Sequence, residues 1–199
     1  MATGVRYIWA EEAAANTMKT IVEVGCLILL LSISMRAEIE KTARVCETGI
    51  CFYWWPKLPE VKGWHQDTEQ SFNYSANALA PNGSTFVNAK TVMYASASYK
   101  PRVPETKSLE MFITGDRNNF LAADPGIQIT EVTELTTADG KKLRSFTFFP
   151  KAKGNWEQVS YAEEGDFYLT FTVSSRSKQG FLKAQDAYRE LIAHYKENL

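Results

Sequence analysis

The clearest pattern in the chain is a strict alternation near its end. Phe167, Leu169, Phe171 and Val173 recur with period two across seven residues, the mark of a strand with one apolar face. Trp156, Val159 and Tyr161 predict the strand before it, with Glu163-Glu164-Gly165-Asp166 as the turn between them. Leu143, Phe146 and Phe148 predict a further strand, and Ile127, Ile129 and Val132 lead another to Thr136. Asp139-Gly140 joins those two as a hairpin signal of the type that needs positive φ. Earlier in the chain, Phe72 and Tyr74 predict a strand over 70–75, and Ala80-Pro81-Asn82-Gly83 is a strong turn. The β-branched and aromatic run 85–99 predicts a long strand, bulged near Ala89.

Two segments carry a helical period instead. Leu109, Phe112 and Ile113 follow Ser108 at i, i+3, i+4 spacing, and Asp124-Pro125-Gly126 closes that helix. Phe181, Ala184, Tyr188, Leu191 and Tyr195 form one stripe, so residues 178–196 are predicted to be an amphipathic helix. The order is then β-β, helix, β-β-β-β, helix. Consecutive hairpins imply an antiparallel sheet, and the expected fold class is α+β. An antiparallel β-sheet covered by two helices on its apolar face makes a two-layer sandwich.

Ahead of this pattern, residues 21–35 are apolar apart from Glu23 and a few small polar residues. A spanning helix needs about 20 apolar residues, so the run suits a signal-peptide core better. Met18-Lys19 stands where a start and a basic flank would be. Cleavage after Ser34 or Ala37 is expected, and an uncleaved anchor is the alternative. The expected organisation is an extension with signal peptide or signal anchor at 1–37, a linker with a Cys pair at 38–62, and the α+β domain at 63–199. Within the linker, Phe52-Tyr53-Trp54-Trp55 is expected to pack on the domain, since exposed aromatic clusters are uncommon, with a seat at a membrane interface as the alternative.

Removing the signal would remove Cys26 and leave Cys46 and Cys51, spaced C-x4-C around Gly49. In an oxidising compartment that spacing predicts a small disulfide loop. The remaining chemistry is sparse. The net charge of −1 and the scattered Lys and Arg argue against nucleic acid. There is no Gly-rich phosphate loop and no G-x-S-x-G elbow. A zinc site needs about four ligands, and only His65 and His194, far apart in sequence, could join the cysteines. Neither a metal nor a cofactor is expected. Asp116-Arg117-Asn118-Asn119 reads as a polar interruption just after the helix, a solvated loop in preference to a ligand-binding corner, and Glu163-Glu164 lies in a turn. Asn73-Tyr74-Ser75 and Asn82-Gly83-Ser84 match the N-glycosylation sequon.

The stretches ITEVTELTTADGKKLRSFTFF (129–149), NWEQVSYAEEGDFYLTFTVSS (155–175) and FLKAQDAYRELIAHYK (181–196) resemble the PsbP-like superfamily, as do Gly63-Trp64 and the helix after Ser108. The likeness spans roughly 63–197 and is one of element order and pattern. It implies a shared fold and a mostly non-enzymatic accessory or binding role, and it carries over no functional residue. The expected function is a non-enzymatic exported binding or accessory module of the cell envelope, periplasmic or secreted. Its partner would be an unidentified protein or small molecule. One alternative is a small hydrolase with a site assembled from scattered residues, favoured by a pocket that joins His65 to Asp67 or Glu69. The other is an envelope structural protein tethered to the inner membrane through residues 21–35.

Overall fold

The computed structural model describes residues 39–47 and 49–196. The signal, start and cleavage readings fall on residues outside that set. Among the described residues, no helix is long and apolar enough to cross a membrane.

The 38–62 segment is not a linker. β1 (Ile39–Cys46) and β2 (Gly49–Pro56) form an antiparallel hairpin. The aromatic run supplies its anchor, as the sequence suggested: Trp55 is 1% exposed, and Trp54 lies against Tyr99 and Phe167. Phe52, two residues before Trp54, stays exposed.

Seven further strands form one antiparallel sheet: β3 (Trp64–Gln66), β4 (Asn77–Pro81), β5 (Thr91–Tyr99), β6 (Gln128–Thr136), β7 (Lys142–Phe149), β8 (Trp156–Glu164) and β9 (Phe167–Ser175). Their order is β3-β4-β5-β9-β8-β7-β6. The four C-terminal strands were legible as consecutive hairpins. β9 then pairs along its whole length with β5, which puts the most strongly alternating strand in mid-sheet. A bulge between Val132 and Leu135 turns Leu135 onto the face of Leu143.

Three helices accompany the sheet: α1 (Thr68–Tyr74), α2 (Leu109–Ala123) and α3 (Lys178–His194). The strand expected at 70–75 is therefore a helix. Asp67 caps it by accepting from the Gln70 amide, and Ser75 ends it in a left-handed conformation at φ 52°. Asp67 and Gln70 stand three residues apart, the spacing of a capping box, and that signal outranks the chance period of Phe72 and Tyr74. The expected 85–99 strand is also shortened. The amides of Asn88 and Ala89 bond back to the Thr85 carbonyl, so the chain turns before β5 begins at Thr91.

The two-layer expectation fails for a physical reason. Helix α3 buries Phe181, Ala184, Tyr188, Leu191 and Ile192 against Leu169, Phe171, Val173 and Met93. Helix α2 buries Ile113 with Phe146, Phe148, Val159 and Tyr161. In β8, Val159 and Tyr161 alternate with Ser160, which meets Tyr188 of α3. Side chains one residue apart in a strand point to opposite faces, so the two long helices cover opposite faces of the sheet. The seven-stranded sheet lies between them as a middle layer.

Candidate functional site: a carboxylate-floored groove on the second sheet face

Helix α2 covers only part of its face. Its Phe120 stacks on Phe148 of β7 and its Phe112 on Tyr168 of β9. Beside it, over β5 and β9, two hollows of about 400 and 320 Å³ adjoin through the shared residues Tyr94 and Ser96. Their floor is the polar half of the strand alternation. Thr170, Thr172 and Ser174 of β9 point here, opposite Leu169, Phe171 and Val173.

Buried hydroxyls need partners, and these have them. Ser96 Oγ and Thr170 Oγ1 are 2.6 Å apart. Ser174 donates to Glu157 Oε1 at 2.6 Å, and the Asn155 amide reaches the same oxygen at 3.5 Å. Tyr161 donates to Asp116 Oδ2 at 2.6 Å. Burial holds the carboxyls of Glu157 and Asp116 above the usual carboxylate range, opposed in each case by a hydroxyl that donates to it. Burial also raises the phenol of Tyr94, and the negative charge of Glu157 adds to the effect. The groove therefore joins two carboxyls with perturbed protonation to a row of hydroxyls, beneath a rim that includes Tyr74, Phe86 and Phe112. Such a combination in a concave site makes the groove the candidate functional site.

Glu157 escaped the sequence reading because a single carboxylate in a strand looks solvated. The available signal was the hydroxyl series Thr170, Thr172, Ser174, whose register puts Ser174 opposite Glu157. Asp116 belongs to the stretch that the sequence offers as a solvated loop or a ligand-binding corner. Asp116-Arg117-Asn118-Asn119 lies within α2, and Asp116 turns inward to the sheet.

The other residues singled out lie elsewhere. Cys46 and Cys51 form the expected disulfide, across the hairpin end with Cα atoms 5.9 Å apart. His65 is exposed on the edge strand β3, and His194 is exposed at the end of α3. His65 lines a hollow of about 580 Å³ together with Trp64 and Asn77, but neither Asp67 nor Glu69 joins it. Both carboxylate oxygens of Asp67 are engaged, Oδ1 by the Gln70 amide and Oδ2 by the Phe86 amide. Glu163 and Glu164 end β8 and do not form a free turn. Glu163 pairs with Lys100, and buried Glu164 accepts from Tyr195 at 2.6 Å. Among the described residues, no three His, Cys, Asp or Glu side chains gather as a metal site. In comparison with known proteins, the chain matches no protein-family model and no curated protein.

Proposed function

We propose that this chain is an exported binding or accessory module of the cell envelope that holds a small ligand in the groove over β5 and β9. The observation that carries the reading is the buried polar floor. Thr172 and Ser174 are buried, and Glu157 is 9% exposed at the wall of an open hollow. The opposite face also buries polar groups, Ser145, Ser160 and Glu164 among them, but α3 and Tyr195 close over those, whereas the floor here stays open to a hollow. The Cys46–Cys51 disulfide is compatible with an oxidising compartment. The order of the elements, with α2 between β5 and β6, four antiparallel strands and a C-terminal helix, supports the likeness to the PsbP-like superfamily.

A hydrolase is the second reading, because raised carboxyls such as Glu157 and Asp116 are suited to general acid catalysis. Binding is favoured because the strand hydroxyls of the groove bond to each other and to Glu157, while both histidines lie elsewhere. A ligand-observed NMR screen of small polar compounds tests the proposal. Compounds that bind the wild type should lose binding in Ser96→Phe, which fills the junction of the two hollows. Binding that survives this variant would remove the groove from the function. Turnover of an ester or glycoside panel that disappears in Glu157→Gln would replace the binding reading with the hydrolytic one. Export has its own test. Intact mass of the periplasmic fraction should show a chain that begins near Met35 or Glu38, and recovery only as a full-length membrane protein would overturn it.

A further inference from the structure

The larger hollow has a distinct chemical polarity. At its wall, Phe86 lies between Tyr74 at 5.1 Å and Tyr94 at 6.0 Å, with interplanar angles of 53° and 78°. Rings set at such angles bound a corner and do not form a closed stack. Below them is Glu157, and both of its hydrogen bonds fall on Oε1. Among the described residues, no Lys or Arg forms an ion pair with it, and the Asp116 carboxylate adds negative charge in its surroundings. A carboxylate this buried normally has a cationic partner, because desolvation is costly without one. The basic residues of the hollow, Lys90 and Arg176, are exposed at its mouth, and Arg176 donates to the Val87 carbonyl. The site thus runs from negative at the floor, through aromatic walls, to positive at the rim.

We propose that this hollow binds a small zwitterion through a substituted ammonium, seated among Tyr74, Phe86 and Tyr94 with Glu157 as its counter-charge, while its carboxylate faces Lys90 and Arg176. The inference rests on the groove reading above and gives it a ligand class. Aromatic faces attract a cation through the ring quadrupole, most strongly when the cation carries apolar substituents and sheds its water easily. A hollow of about 400 Å³ is of the size that small-molecule sites have. A neutral ligand of the same shape would leave the floor carboxylate without a counter-charge, and an anionic head would be repelled by it.

Isothermal titration of the full chain with N,N,N-trimethylglycine and 3,3-dimethylbutanoate separates these cases. The second compound replaces the ammonium nitrogen by carbon and keeps the shape and the carboxylate. Trimethylglycine is expected to bind at least about 10-fold more tightly, the ratio that roughly 1.4 kcal/mol of cation–π and charge attraction produces. Glu157→Gln should weaken trimethylglycine and narrow the gap between the two compounds, and an unchanged ratio would overturn the role of Glu157 as counter-charge. Phe86→Leu, which keeps an apolar wall without a ring, should weaken trimethylglycine about 10-fold and leave the carbon isostere unchanged. Circular dichroism of both variants should match the wild type. Equal binding of the two compounds by the wild type would overturn the ammonium inference and leave the groove reading standing. No binding of trimethylglycine would also overturn it, and the Ser96→Phe screen would then judge the groove by itself.

Discussion

The two faces of the central sheet are made by the same strands and do opposite things. Under α3, the face is apolar and closed. Leu143, Leu169, Phe171 and Val173 are fully buried, and the hydroxyls among them bond to one another or to the backbone. Tyr188 donates to the Phe171 carbonyl at 2.7 Å and lies 2.8 Å from Ser160 Oγ, which is itself 2.7 Å from Ser145 Oγ. On the other face, α2 seals β7 and β8 with Phe120 and Ile113 and leaves β5 and β9 to a groove. Alternation in β9 therefore does not separate core from solvent. It separates a packing core from a polar floor, and the buried members of the polar half are what the proposed binding groove rests on.

The contrast can be broken at the packed face first. Leu191→Asp should have the largest effect, because it places an unpaired carboxylate in a fully buried site under α3. Leu191→Ala should cost about 2–5 kcal/mol, the usual range for truncating a buried leucine. Urea melts would rank the two, and an unchanged midpoint for Leu191→Ala would show that α3 does not seal this face. Gly180→Ala should follow. A Cβ there would overlap Ser175 Oγ and Thr91 Oγ1, a hydrogen-bonded pair 2.8 Å apart where α3 meets the sheet. Crowding of this kind costs about 1–3 kcal/mol, more than the helix propensity that alanine adds, at most about 1 kcal/mol. A net loss is expected by thermal melt, and a rise in Tm would contradict the close approach.

The groove face should respond with the opposite sign. Burial raises the pKa of Glu157 in the folded state above its unfolded value. Its contribution to stability is then fully present below the unfolded pKa and is lost as pH rises through the folded one. Ionised Glu157 therefore destabilises the empty protein at neutral pH. Glu157→Gln, which can still accept from Ser174, should raise the urea midpoint at pH 7. The gain should shrink to nothing as the pH falls below the ordinary carboxylate range. A variant less stable than wild type at pH 7 would mean that the charge is compensated in the fold.

The parts of this arrangement visible in the sequence were those set by short-range rules. Strands β6 to β9 follow from period two and the Asp139-Gly140 turn, and α3 from its stripe; the structure adds the cap that Ser177 provides to Gly180. Only Tyr195 departs from the helix: it lies beyond the last helical residue, yet is buried and bonded to Glu164. The C-x4-C pair followed from the geometry of a tight loop. Helix α1 was misread as a strand against a local signal, its Asp67 cap; the other misreadings came from long-range effects. A sheet's two faces look alike from sequence until the helices are assigned to them, and α2 and α3 have no local mark of the face they choose. The hairpin of β1 and β2 looked like linker because its two prolines come at and after its end, and because its stability depends on Trp54 and Trp55 meeting residues far along the chain. Glu157 needed the partner strand to reveal that it is buried.

The pairing of β5 with β9 also sets the order of events in folding. Its cross-strand contacts Ser96–Thr170 and Thr91–Ser175 join residues 74 and 84 positions apart. Loops of that length close slowly, and topologies dominated by such contacts fold slowly for their size. On the ribosome, β5 has no central neighbour until nearly the whole domain has been synthesised. Strands β6 to β9 can form their meander from local hairpins, but the sheet cannot close before β9 emerges. A chain built in this way spends its early life unfolded, the state in which a polypeptide can be threaded across a membrane.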